Sequence, residues 1–346
     1  MESKDSTMAM SPRTSRRAFL AAGLGATAAV LTQPLAARAA NASVPVRIQL
    51  DFLPFGRYAP YYLALEEGYY AKRGVDVSIA PGSGTGPALQ QLIAGRAQVS
   101  FVDIPSMMVL MGRGVKPKMR SYAVFYAKAP ETVFYFEGGA IKSPKDLEGK
   151  TIATSAGSTD FELFPLFAAA QGIDASKITW VTVDPSAKVG LFLQGKVDAT
   201  TTYVLGLPGV QAKAGARKVG HFTYGEYGVD AYGNGLVVTD DFAAAHPDAV
   251  RGVVQATIEG YKGAFKDPAR AAAAMKKHVP TLDLEQAAAE VKIVQELAYG
   301  AAQKAHGLGY QDAAGMTSSL QAVEKYVLKA AVSSPVADFY SNAYIG

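Results

Sequence analysis

One local grammar runs through the chain twice, and that repetition leaves few folds open to it. Residues 46–50 (VRIQL) alternate apolar and polar, the period of a strand, and the loop PFGRYAP follows. Tyr61, Ala64, Leu65, Gly68 and Tyr69 then recur at helical spacing on one face, with Pro60 suited to a first helical turn and Gly74 to a stop. Val75, Val77 and Ile79 alternate as a second strand. PGSGTG (81–86) opens a helix carrying Leu89, Leu92 and Ile93 that Gly95 ends, and 99–102 is a third strand. After residue 130 the pattern restarts. SPKDL caps a short helix, 151–154 is a strand, SAGSTD (155–160) opens a helix over 161–171, and strands at 180–183 and 197–200 flank a helix over 187–194. LIAGRAQV (92–99) and FLQGKVDA (192–199) share a helix end, a glycine stop, a basic residue and a strand. A last strand at 235–239 precedes helices over 241–246, 248–265, 268–278, 284–299 and 311–327. The reading is an α/β fold of two lobes, each a mostly parallel sheet flanked by helices. Lobe one takes 44–128 and 236–346, and lobe two takes 132–232.

Composition narrows the function. Five of the 34 basic and two of the 30 acidic residues precede residue 40, leaving 29 against 28, so the remainder has no basic excess for nucleic acid. Residues 1–39 read as an export signal. Arg16 and Arg17 precede Phe19-Leu20, a short glycine-broken apolar run follows, and Ala37-Arg38-Ala39 fits a cleavage site, so a mature chain starting at Ala40 is expected. The chain contains no cysteine, which excludes disulfides, a catalytic thiol, thiolate metal ligands and a lipoprotein anchor. The expectation is a soluble periplasmic monomer whose precursor uses the twin-arginine export machinery.

Catalytic patterns are missing. The four histidines show no metal-ligand spacing and no GxSxG occurs, so neither a metal, a cofactor nor a catalytic residue is assigned. PGSGTGPAL lacks the lysine of a phosphate-binding loop and the third glycine of a dinucleotide fingerprint. What remains are two hydroxyl-bearing glycine loops at helix starts: Ser83, Gly84 and Thr85, and Ser155, Gly157, Ser158 and Thr159. Open α/β sheets bind ligands at the carboxyl ends of strands, where such loops sit. Asp51, Asp103 and Glu226 lie near strand ends and can accept hydrogen bonds from a ligand. Among the aromatic residues of LDFLPFGRYAPYYLALEEGYY, the helical period assigns Tyr61, Leu65 and Tyr69 to the core. Phe52, Phe55 and Tyr58, at the strand's carboxyl end, are assigned to a pocket. TYGEYGVDAYGNG (223–235) offers Tyr227 or Tyr232 for stacking.

Five segments together resemble the periplasmic solute-binding proteins of ABC importers, in the branch that binds thiamine-pyrimidine precursors, alkanesulfonates, taurine and nitrate. They are DFLPFGRYAPYYLALEEGYYAKRGVDV, PGSGTGPALQQLIAGRAQVSFVD, SPKDLEGKTIAT, LQGKVDATTTY and YGVDAYGNGLVVTDDF. The resemblance implies two lobes joined by crossing strands, closing over one small polar solute for an ABC permease of the inner membrane. It adds Tyr203, which ends the fourth segment, to the ligand contacts. Related pyrimidine-precursor synthases carry a cysteine-rich motif and a first-loop histidine. This chain has no cysteine, and Arg57-Tyr58 falls where that histidine is expected, so binding without turnover is the implied activity.

Overall fold

The computed structural model describes residues 43–345, so the export signal and Ala40 lie outside the described residues. In β1 (Val44–Leu50), Val46, Ile48 and Leu50 are buried while Pro45 and Arg47 are exposed, as period-2 alternation dictates. β2 (Val75–Ala80) and β3 (Val99–Asp103) pair with β1 in parallel. β10 (Asn234–Thr239) runs antiparallel between β3 and β4 (Met119–Val124), completing a sheet of order β2-β1-β3-β10-β4. β3 and β10 are buried at every residue, which is why they read as unbroken rather than alternating runs.

The second sheet repeats the plan. β6 (Thr151–Thr154) pairs in parallel with β7 (Thr179–Thr182) and β8 (Ala199–Tyr203). β5 (Glu131–Phe136) is antiparallel between β8 and β9 (Val219–Thr223), giving the order β7-β6-β8-β5-β9. Each sheet thus has four strands in one direction and a fifth reversed. The look-alike segments occupy matching places. Gly95 and Gly195 take φ of 68° and 70°, the left-handed stop that follows a helix, and lead into β3 and β8, each the third strand of its sheet.

Helices α1 (Ala59–Glu66), α2 (Thr85–Ile93) and α3 (Ile104–Gly112) connect the first sheet's strands. In the second half, α4 (Thr159–Glu162), α5 (Phe164–Gln171), α6 (Lys188–Leu193) and α7 (Leu207–Ala214) do the same. The single helix expected over 161–171 is broken at Leu163, because Pro165 has no N–H to give the carbonyl of Phe161. The strand expected over 197–200 lies at Ala199–Tyr203, where the threonine run Thr200-Thr201-Thr202 pairs with β5. The sequence reading assigns no element to α3, β4, β5, α7 or β9.

The C-terminal helices α8 (Asp240–Ala245), α9 (Pro247–Lys266), α10 (Pro268–Lys276), α11 (Leu284–Ala298), α12 (Ala301–His306) and α13 (Ala313–Ala322) follow β10. Val253, Val254 and Tyr261 of α9, with Val291 and Val294 of α11, join Ile48, Leu50 and Phe101 in one core. Phe101 is its hub, with Tyr61 and Tyr126 rings each centred 5.3 Å away and Tyr58 at 6.2 Å edge-on. Such pairs contribute about 0.5–1.5 kcal/mol each beyond their buried area.

Candidate binding cleft

A cleft of about 470 Å³ is lined by loops from both sheets. Every lining loop lies at a strand's carboxyl end: 51–57 after β1, 83–87 after β2, 156–160 after β6, 185–189 after β7 and 202–206 at the end of β8. Close backbone approach shapes the first wall. The N–H of Gly82 donates to the Phe52 carbonyl at 3.0 Å, and that of Gly84 to the Asp51 carbonyl at 2.7 Å. A Cβ on Gly82 would stand 2.1 Å from the Leu50 carbonyl oxygen, so only glycine lets the two loops nest. The same logic seats the turn Gly56–Tyr58 on α11, where a Cβ on Gly56 would stand 2.2 Å from the Ala287 Cα.

That turn fixes Arg57. Its N–H donates to Glu290 Oε2 at 3.0 Å. The residue is 7% exposed, and its guanidinium lies 4.8, 5.3 and 5.7 Å from the ring centres of Tyr58, Phe55 and Phe52. Burial works against its charge, but Tyr58, Asp51, Tyr126 and Glu290 around it outweigh that and hold the proton more tightly than usual. Asp51 accepts from the Tyr58 hydroxyl at 2.6 Å and from Asn234 Nδ2 at 3.2 Å. Burial pushes its carboxyl up, with Arg57 pulling the other way. On the far wall Lys188 Nζ meets Asp160 Oδ2 at 2.7 Å, both side chains nearly inaccessible.

Of the residues read from the sequence, Asp51, Phe52, Ser83, Gly84, Thr85, Gly157, Ser158, Thr159 and Tyr203 line this one cleft, as does Phe55. Five others do not. Tyr58 is fully buried behind the wall, where its hydroxyl is spent on Asp51. Asp103 is also fully buried and caps α3, accepting from the Ser106 N–H at 2.7 Å. Ser155 is turned inward; its carbonyl takes the Ser158 hydroxyl at 2.8 Å, and Ala156 lines the cleft in its place. Glu226 is exposed on the turn Tyr224–Tyr227. Tyr227 packs edge-on against Phe222 at 5.4 Å and Phe167 at 6.1 Å within the second sheet's core. Tyr232 is absent from the lining too; its hydroxyl pairs with Asp312 at 2.9 Å.

The sequence reading gave no ligand role to Arg57, Lys188, Lys213, Gln286 or Glu290, all of which line the cleft, as does Asp160 at the end of the SAGSTD loop. Lys188 left a trace, a lone lysine within the apolar helix KVGLFL. Gln286 and Glu290 reach the cleft only because α11 returns beneath the first loop. Behind the wall, Glu131 is fully buried, and neither of its carboxyl oxygens has a hydrogen-bond partner among the described residues; nor has Asp103 Oδ2. Burial first, then the Asp103 charge, pushes the Glu131 carboxyl well above the carboxylate range, and burial raises Asp103 to about 7. Among the described residues no group of three or more histidine, aspartate or glutamate residues is gathered that could hold a metal ion.

Two mixed α/β sheets with one cleft at the carboxyl ends of their strands define a periplasmic-binding-protein fold. The chain belongs to the NMT1/THI5-like family, whose model matches residues 56–271. It is 24% identical over 287 residues to the riboflavin-binding protein RibY of Chloroflexus aurantiacus, covering 81% of each chain. It is 22% identical over 225 residues to the formylaminopyrimidine-binding protein of Halalkalibacterium halodurans, covering 64% of this chain and 67% of that one. The alkanesulfonate-binding protein SsuA of Xanthomonas axonopodis pv. citri, solved with MOPS bound, superposes with a TM-score of 0.66 at 17% identity, covering 86% of this chain and 98% of that one.

Proposed function

We propose that the chain is the solute-binding component of an ABC uptake system, which holds one small solute and hands it to an inner-membrane permease without turnover. The observation that carries this is a cleft walled by loops of both sheets, of a size typical for small-molecule sites. The names of the relatives, binders of riboflavin and formylaminopyrimidine, support the same reading. In it, 44–128 with 236–346 form one lobe and 132–232 the other, and the lobes close on the solute. The distribution of β1–β4 and β10 against β5–β9 supports that division. Phe52 supplies stacking surface, Asp51 and Tyr203 polar contacts, and the hydroxyls of Ser83, Thr85, Ser158 and Thr159 hydrogen bonds from the two sides. The precursor takes the twin-arginine route to the periplasm, which changing Arg16 and Arg17 to Lys tests: the precursor should stay in the cytoplasm.

Native mass spectrometry of protein purified without refolding tests the binding itself. A small molecule should copurify, and adding it back at about 100 times its dissociation constant should stabilise the fold by about 2.7 kcal/mol. A protein that never carries a solute, and whose melt responds to none of the pyrimidines, flavins, sulfonates and aromatic acids tried, would refute the reading.

A further inference from the structure

The donors and acceptors of the cleft do not balance. Its ionisable lining comprises Asp51, Asp160 and Glu290 against Arg57, Lys188 and Lys213. The acids are already engaged. Asp160 holds Lys188, Asp51 takes Tyr58 and Asn234 on its two oxygens, and Glu290 takes the Arg57 N–H on Oε2 and Gln286 Nε2 at 3.1 Å on Oε1. The Arg57 guanidinium has no such partner. The residue is only 7% exposed, yet its guanidinium forms no ion pair or side-chain hydrogen bond among the described residues. A guanidinium carries five donors in a planar fork and never gives up its charge, so burying it without acceptors is costly. The cation on the other wall, Lys213, is exposed and also without an ion pair among the described residues.

The neighbouring backbone adds donors of the same sign. Thr85 and Gly86 precede Ala88, whose N–H makes the first bond of α2 back to Gly84, so their own N–H groups have no acceptor within the helix. Gly86 faces open space, since a Cβ there would touch nothing. Gly84 is bonded to Asp51, which holds this helix start beside the loop that carries Arg57. Phe52 and Phe55, tilted 32° with ring centres 6.0 Å apart, add flat apolar surface next to the guanidinium.

We propose that the solute is a planar aromatic oxyanion, a carboxylate, sulfonate or phosphate. Its anionic group is taken by the Arg57 fork and the start of α2, and its ring by Phe52 and Phe55. This rests on the solute-binding reading and narrows it, setting aside neutral pyrimidines of the same size. A forked donor pair matches two oxygens of an oxyanion in one plane, and the low-dielectric wall strengthens that pairing over its value in water.

The test uses the full chain, purified natively, and matched probes in isothermal titration and thermal melts. The probes are benzoate, 2-naphthoate, benzenesulfonate and phenyl phosphate, against benzamide and 2-naphthamide. The oxyanions should bind at least about tenfold more tightly than the amides, and their ranking identifies the acid group. Arg57→Met keeps the stem and drops the fork; it should lose about tenfold or more in oxyanion affinity, and clearly more than it loses for the matched amides. Should Arg57→Met fail to fold, Arg57→Lys keeps the charge without the fork and should still lose affinity selectively for the oxyanions. Equal binding of amides and acids, or parental affinity in the folded Arg57 variant, would overturn the anion assignment while leaving the solute-binding reading intact. A copurified solute without an acidic group overturns it in the same way, and so does silence of all six probes. Only the absence of any solute, copurified or added, would count against both.

Discussion

The buried pair Lys188–Asp160 gives a prediction that can be sized from the structure. Its atoms stand 2.7 Å apart, and the side chains are 7% and 6% exposed. Asp160 has no other side-chain partner among the described residues; the Tyr224 hydroxyl, 2.8 Å away, donates to its backbone carbonyl instead. Lys188→Met therefore leaves a carboxylate without its countercharge in a nearly dry wall, a loss of about 3–5 kcal/mol. For a chain of this size at roughly 2 °C per kcal/mol, the melt should fall by about 6–10 °C. The double change Lys188→Met with Asp160→Leu removes both charges and should recover most of that loss, because apolar replacement of a buried pair is close to neutral. Arg251→Met serves as the control. Its pair with Asp248 is 51% and 91% exposed, and its loss should cost less than about 1 kcal/mol. Calorimetric melts and urea midpoints of the four proteins decide the matter. If Lys188→Met melts within about 1 °C of the parent, the pair is solvated and the reasoning fails.

Three further outcomes are expected. Asp103, raised from 3.8 to about 7, stays protonated in the fold where the unfolded chain has ionised; stability should therefore fall as pH rises from about 4 to about 7, with Glu131 acting in the same direction. Asp103→Asn should flatten that fall in urea midpoints taken across the window, and an unchanged slope would contradict the assignment. Gly82→Ala forces its new methyl against the Leu50 carbonyl and should cost about 1–3 kcal/mol and weaken any cleft ligand, read by melt and titration together. Ser158→Ala with Thr159→Ala should remove most of the melt shift given by a confirmed ligand while moving the unliganded melt by less than about 2 °C; retained affinity would reduce that loop to a helix start.

The fold was legible wherever a strand alternated or a glycine stopped a helix. β1, β2 and the Gly95 and Gly195 stops carry their own instructions in a few adjacent residues. β4, β5 and β9 do not, because each gains its place from a partner far along the chain, as Thr132 does from Thr202 and Thr223. The cleft divides the same way. Its glycine and hydroxyl loops were readable because turn chemistry is local. Lys188, Gln286 and Glu290 were not, since only the assembled fold decides which face of α6 and of α11 meets the cleft. Tyr58 and Tyr227 fall outside the cleft lining for one reason: an aromatic residue in a glycine-rich loop suits a core cluster as well as a ligand, and both pack that way, around Phe101 and Phe167.

The two sheets differ in how they can be assembled. Every strand of the second, β5 to β9, comes from the unbroken stretch 131–223. The first is interrupted: β3 and β4 share no edge until β10 slides between them, and the remaining support of β4 comes from Gly309 and Phe339, still further on. A growing polypeptide can therefore finish its inner unit while the outer one is a half-built shelf. Closing the outer sheet means bringing together residues more than a hundred positions apart, the slow kind of contact, because the loop entropy is lost before any bond repays it. A released chain ending just before residue 234 would carry every strand of the second sheet and, at β4, a bare strand edge of the sort that invites aggregation.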